Sequence, residues 1–248
     1  YDTLTEGKGG TTGITPITAF QDTQQSTTST SLVGANCETS ALSNGVKYLV
    51  IYGGNHGGSG ISDVTEMVLE FGTTVIARSV GEGRGQSNHY DTNTIEGYYI
   101  VTGNGTNTLR FRFRLVSGGG AYCGAMAIIA IPLTALSENT DYFQSVSNAE
   151  DVVVNAVVES WTTLMTQTFS LPDAGDYLVL MSGEGGCDGG SEADASMMRF
   201  RVNGATIGSE YHEEWEDNYD QMNFAKAQLV TGLSAGNNVF AIECRSRG

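Results

Sequence analysis

Three observations predict an all-β chain made of two tandem jelly-roll-like β-sandwiches. The first is an internal repeat. Lys47-Tyr48-Leu49-Val50-Ile51 reads against Asp176-Tyr177-Leu178-Val179-Leu180, an offset of 129 residues. Held without gaps, the same offset pairs Gly54 with Gly183, Gly57 with Gly186, Gly60 with Gly189, Ser62 with Ser191, Phe71 with Phe200, Tyr90-Asp91 with Tyr219-Asp220 and Val101-Thr102-Gly103 with Val230-Thr231-Gly232. That makes 13 identities over the 57 positions from 47 to 103, where chance gives roughly 6–7%, so the two halves read as a duplication. The second observation is a series of short β-favouring runs bounded by Gly, Asn, Ser and Thr clusters. The third is the lack of a convincing amphipathic helix. The best candidate, residues 141–160, carries Val152-Val153-Val154 and Val157-Val158, whose branched side chains favour a strand. Units of about 110 residues with short strands suit a two-sheet jelly roll. An immunoglobulin-like sandwich is the runner-up, without the Cys–Trp–Cys pattern that would support it.

The elements follow in order. Residues 1–31 are rich in Thr, Ser, Gly and Gln from Gly9 to Ser31. They hold too little apolar surface to fold alone and are expected as an extended N-terminal arm, or as a strand that pairs with something else. The first sandwich is expected over 32–133, with strands at Tyr48 to Tyr52, Glu66 to Phe71, Gly97 to Val101, Thr108 to Leu115 and Tyr122 to Pro132. Arg110-Phe111-Arg112-Phe113-Arg114 would set three arginines on a wet face and two phenylalanines on the other. A linker is expected at 134–141. The second sandwich, 142–248, repeats the scheme with Met197 to Val202, Ala225 to Val230 and Asn238 to Cys244. The first unit runs on through Ser117-Gly118-Gly119-Gly120 into the apolar strand Ala121 to Leu133, and the second shows no counterpart after Arg245-Ser246-Arg247-Gly248. The second sandwich is therefore expected to lack its last strand. The open edge would be covered by further chain, by the Gly9 to Ser31 arm, or by another copy.

Composition narrows the function. The 248 residues carry a formal net charge of −16, from 28 acids against 12 Lys plus Arg. Such a field repels nucleic acid, so no nucleic-acid partner is expected. No apolar run reaches about 18 residues, so neither a transmembrane helix nor a membrane partner is expected. The chain opens at Tyr1 without Met, as a processed or partial product would. Cys37, Cys123, Cys187 and Cys244 show no C-x-x-C spacing. Their even number permits two disulfides and specifies none.

Candidate chemistry is sparse. The three histidines, His56, His89 and His212, fit no zinc motif, and there is no G-x-S-x-G elbow. His56, inside Gly53-Gly54-Asn55-His56-Gly57-Gly58, reads as part of a glycine-rich sandwich loop. Gly81-Glu82-Gly83-Arg84-Gly85 lacks the Lys-Ser/Thr ending of a phosphate loop. Six acids and three aromatics crowd into residues 210–220. Tyr211, Trp215 and Tyr219 could stack on sugar rings, and the acids could hold a hard cation or act as acid and base. The first unit has few acids there, and only the Tyr-Asp pair recurs, which favours a structural turn device. Asp188, Glu192 and Asp194 do not follow the calcium-loop spacing. Asn104-Gly105-Thr106 is a glycosylation sequon on an expected turn. No catalytic residue, metal or cofactor is expected.

The strands opening each unit, Tyr48-Leu49-Val50-Ile51-Tyr52 and Tyr177-Leu178-Val179-Leu180-Met181, are followed by the turn-strands Gly105-Thr106-Asn107-Thr108-Leu109-Arg110-Phe111 and Gly236-Asn237-Asn238-Val239-Phe240. With the Thr/Ser/Gly-rich arm and acidic, lysine-poor surface, they resemble tandem jelly-roll virion structural proteins of tailed bacteriophages, of the decoration or fibre type. The resemblance covers about 45–120 and 174–248. It implies a non-enzymatic structural protein of a virus particle surface, virion-borne or extracellular, that assembles with copies of itself and other virion proteins. The alternative is a pair of carbohydrate-binding modules from a secreted or fibre protein, with Tyr211, Trp215 and Tyr219 facing a surface glycan.

Overall fold

The computed structural model describes residues 14–60, 63–82, 93–134, 136–144, 160–186, 195–214 and 221–247. Among them the secondary structure is all β, without a helix. The strands of the first half are β1 (Ile17–Gln21), β2 (Gln25–Thr27), β3 (Val33–Glu38), β4 (Lys47–Gly58), β5 (Val64–Phe71), β6 (Thr74–Glu82), β7 (Asn93–Thr102), β8 (Leu109–Ser117) and β9 (Ala121–Pro132). Those of the second half are β10 (Thr162–Leu171), β11 (Gly175–Gly186), β12 (Ala195–Val202), β13 (Ala205–Glu214), β14 (Gln221–Leu233) and β15 (Gly236–Arg247).

In the first half one sheet runs β1-β9-β4-β7, and β3-β8-β5-β6 form the facing sheet. Each sheet alternates strands from early and late in the half, which is the jelly-roll order. Alternation along the strands builds the core between them. On β4, Tyr48, Val50 and Tyr52 point in; on β8, Leu109, Phe111, Phe113 and Leu115 do. Arg110, Arg112 and Arg114 take the opposite face, as the alternation requires. The segment expected as an arm is extended, but part of it belongs to the sandwich. β1 and β2 both pair antiparallel with β9 and cover its outer edge. Backbone hydrogen bonds to β9 supply what the segment's few apolar side chains cannot.

The second half repeats the order: β10-β15-β12-β13 matches β3-β8-β5-β6, and β11-β14 matches β4-β7. The register matches as well. Tyr48 faces Val101 and Tyr177 faces Val230, each partner lying 129 residues on. On the other sheet, Val68 faces Arg112 and Arg199 faces Glu243, and here the step is 131. The ladder therefore places Phe71 opposite Leu109 and Val202 opposite Phe240, so Phe71 corresponds to Val202 and Phe200 to Leu69. The gapless pairing of Phe71 with Phe200 is two residues out, because two extra residues enter the second half before its β12–β13 hairpin.

The halves are joined through sheet edges. Gln221 of β14 pairs with Val80 of β6, merging two sheets into one of six strands. Beside it, the Tyr98 N–H donates to Ser182 Oγ (3.3 Å), whose hydroxyl donates to the Tyr98 carbonyl (3.2 Å). The Ala225 N–H donates to Glu96 Oε1 (3.2 Å). In the connecting segment, residues 137–142 form turns, and Glu138 pairs with Lys47 of β4.

Candidate functional site

The strongest candidate surface is the outer edge of β11. In the first half the matching strand, β4, lies between β7 and β9. Leu49 there is flanked by Ile100 on one side and Ile131 on the other, and is half-buried. Its counterpart Leu178 pairs with Leu229 of β14. No strand flanks it on the other side among the described residues. Leu178 is 66% exposed and Leu229 57%. From Tyr177 to Gly183 β11 carries no charge and no proline, the two devices that usually blunt an edge strand. Among the described residues, this edge carries no ladder partner beside an apolar step.

The opposite face of each half carries an ion-pair ladder. On β5 the buried carboxylates of Glu66 and Glu70 reach across to β8 and β6. Glu70 pairs with Arg110 (2.9 Å) and Arg112 (3.4 Å), and Glu66 with Arg114 and Arg78. Arg112 and Arg114 also donate to the carbonyls of Leu32 and Thr30, so the arginines clamp the chain leading into β3. In the second half the signs are exchanged. Glu243 sits on β15 between Arg199 (2.6 Å) and Arg201 (3.0 Å) of β12. Burial works to raise the Glu243 carboxyl, and the two guanidiniums outweigh it, holding it below the usual carboxylate range. Arg199 and Arg245 both stack on Trp161, 4.1 and 4.7 Å from the ring centre. These arginines are already paired with carboxylates and do not form a free anion site.

His56 was expected on a loop and is instead inside β4 and fully buried. The glycines around it serve close approach of the sheets: a Cβ at Gly54 would come within 2.9 Å of Met126 and 3.1 Å of Met67. His56 Nδ1 lies 2.9 Å from Thr65 Oγ1 and Nε2 3.0 Å from Ser79 Oγ. The Thr65 hydroxyl donates to the Gly81 carbonyl (3.4 Å), so Nδ1 donates to Thr65 and Nε2 accepts from Ser79. Burial drives the imidazole pKa down to about 3, and the ring is neutral at pH 7. The pair resembles a serine–histidine dyad, but a threonine stands where an orienting carboxylate would, and both side chains are sealed in the core.

Asp63 locks one end of the first sandwich. It accepts the N–H groups of Gly119 (2.6 Å) and Gly120 (3.2 Å) and the Ser59 hydroxyl (2.9 Å). Burial alone would raise its carboxyl; these donors and the Gly60 N–H hold it below the usual value. A Cβ at Gly118, whose φ is +106°, would lie 1.9 Å from Asp63 Oδ1. A side chain at Gly118 would therefore collide with this carboxylate, and one at Gly120 with the Ser59 hydroxyl that bonds to it.

Of the expected glycan-facing residues, Tyr211 lies on β13, while Trp215 and Tyr219 fall outside the described residues. So do the Tyr90-Asp91 and Tyr219-Asp220 pairs, Asp188, Glu192, Asp194 and the valines of 151–158. Asn104 is exposed, its Oδ1 accepting from the N–H groups of Thr106 and Asn107 in an Asx turn. Among the described residues no three of His, Cys, Asp and Glu gather as metal ligands.

No known protein family matches the chain, and no curated protein does. Among solved structures, that of PNGF-II in the P21 space group aligns over 94% of this chain and 64% of its own, with 9% identity and a TM-score of 0.30. The chain thus spans under two thirds of that protein, and at this score the likeness supports neither a fold family nor an activity.

Proposed function

We propose that the chain is a non-enzymatic structural protein of a virus particle surface, as a decoration or fibre component, that assembles with copies of itself. The virion setting rests on the resemblance of its repeated strands and turn-strands to phage jelly-roll proteins. The assembly rests on one observation: the stretch 177–183 of the β11 edge, uncharged between Asp176 and Glu184 and beside exposed Leu178 and Leu229, where the first half places β9. Burying two leucines per copy removes about 1.5–3 kcal/mol each of exposed apolar cost, and the edge supplies backbone hydrogen bonds. Duplication of one ancestral unit accounts for the shared strand order and register.

Light scattering on the purified chain over a range of concentration tests this. The wild type is expected to exceed the monomer mass, and Leu178→Lys with Leu229→Lys to return it to monomer with unchanged circular dichroism. A wild type that stays monomeric throughout overturns self-assembly. If that monomer also binds defined sugars on a glycan array, the carbohydrate-binding reading replaces it.

A further inference from the structure

The first sandwich holds two thiols that the assembly reading does not use. Cys37 lies on β3, the terminal strand of one sheet, and Cys123 on β9 of the facing sheet. Both are buried in the same core cluster, at 1% and 0% exposure. The two strands are tied at this level. The Asn36 side-chain amide, next to Cys37, donates to Gln25 Oε1 at 2.8 Å, and Gln25 is the ladder partner of Cys123. Burial pushes the Cys37 thiol up to about 11 and Cys123 up to about 12, and for Cys123 the next cause is charge on Cys37 itself. The thiols are therefore electrostatic neighbours. Cys244 is in the other half, packed against the cluster of Met198, Phe200 and Phe224.

Access comes from weak elements above the pair. The β3–β8 register breaks between Gly34 and Glu38, and Asn36 there has φ +56°. A pocket of about 290 Å³, lined by residues 34–38 and 110–112, opens at this break. On the other side, β2 holds the Cys123 level with only three residues. Short, interrupted edge strands open at low cost.

We propose that Cys37 and Cys123 are a disulfide site joining the two sheets of the first sandwich, closed by a disulfide oxidant such as oxidised glutathione. The Cys37 thiolate attacks one glutathione sulfur, forming a mixed disulfide and releasing one glutathione thiolate. The Cys123 thiolate then attacks the Cys37 sulfur and releases the second. The two thiol protons go to solvent, and the electron pair ends on the two reduced glutathiones. The buried thiols are mostly protonated at neutral pH, which makes closure slow.

The test uses the full chain as Cys187→Ser/Cys244→Ser, equilibrated with oxidised and reduced glutathione, then denatured, alkylated and peptide-mapped. The expected product is one cross-linked species joining the Cys37 and Cys123 peptides, two hydrogens lighter than their sum. Its reduction should lower the melting temperature by about 5–10 °C, and Cys37→Ala should leave Cys123 alkylated. Recovery of both cysteines singly alkylated after oxidation overturns the proposal, as does cross-linking only between molecules. If the double variant does not fold, the wild-type map reads the same pair: a Cys37–Cys123 species supports the site, and any other partner for Cys123 overturns it.

Discussion

His56 makes a residue-scale prediction about acid. Its folded pKa, about 3, lies below the ordinary value near 6.5. Below pH 6.5 the unfolded chain takes up a proton that the folded one refuses. The stability associated with a neutral His56 is complete above that pH and declines down to about 3. One proton contributes a slope of up to about 1.4 kcal/mol per pH unit. Denaturant unfolding between pH 7 and 4 should show it, and His56→Gln should flatten the slope; an unchanged slope contradicts the buried neutral ring. Asp63 adds a further loss at lower pH, because its depressed carboxyl stabilises the fold until pH falls through its folded pKa. A second residue-scale prediction concerns Gly183. A Cβ there would lie 2.4 Å from the Phe224 ring, as one at Gly54 would crowd Met126. Gly183→Ala should cost about 1–3 kcal/mol, read as a lower urea midpoint with the m-value unchanged. The repeated glycine was legible in the sequence. Its reason was not, because the crowding side chain comes from a strand some forty residues away.

At the element scale, the exchanged ladders allow a swap. Glu70→Ala leaves Arg110 and Arg112 without their shared carboxylate and should cost about 1–3 kcal/mol. Glu70→Arg with Arg112→Glu copies the Arg201–Glu243 pair of the second ladder, with Val68 standing where the second half has Arg199. In thermal unfolding the double variant should recover most of the stability that Glu70→Arg alone loses; additive losses would contradict the equivalence of the two ladders. Elements of this kind were partly visible in the chain. The alternation of Arg110 to Arg114 gave the inward phenylalanines and the outward arginines. The carboxylates opposite them could not be read, since cross-strand neighbours depend on register. Gly53 to Gly58 misled because a glycine run signals a loop unless two sheets must pass closely over it, as they do at Gly54. For the N-terminal segment, polar composition left an arm and a pairing strand both open, and it did not reveal that the partner would be the edge of β9.

For the whole molecule, the two halves share a strand order and differ at one edge. The tyrosines heading β4 and β11 show how far the match goes. The Tyr48 hydroxyl accepts from the Ser43 N–H (3.2 Å), and the Tyr177 hydroxyl donates to the Asp173 carbonyl (2.8 Å). The difference is that β9 flanks β4, while β11 has no such neighbour among the described residues. The proposed assembly depends on that edge. Amide hydrogen exchange along residues 177–183, compared between dilute and concentrated protein, tests it most directly. The account predicts that the β11 amides facing away from β14 exchange fast when dilute and slow by about tenfold or more on concentration, with Leu178→Lys abolishing the change. Protection that is already complete in the dilute monomer, or that never varies with concentration, would contradict it.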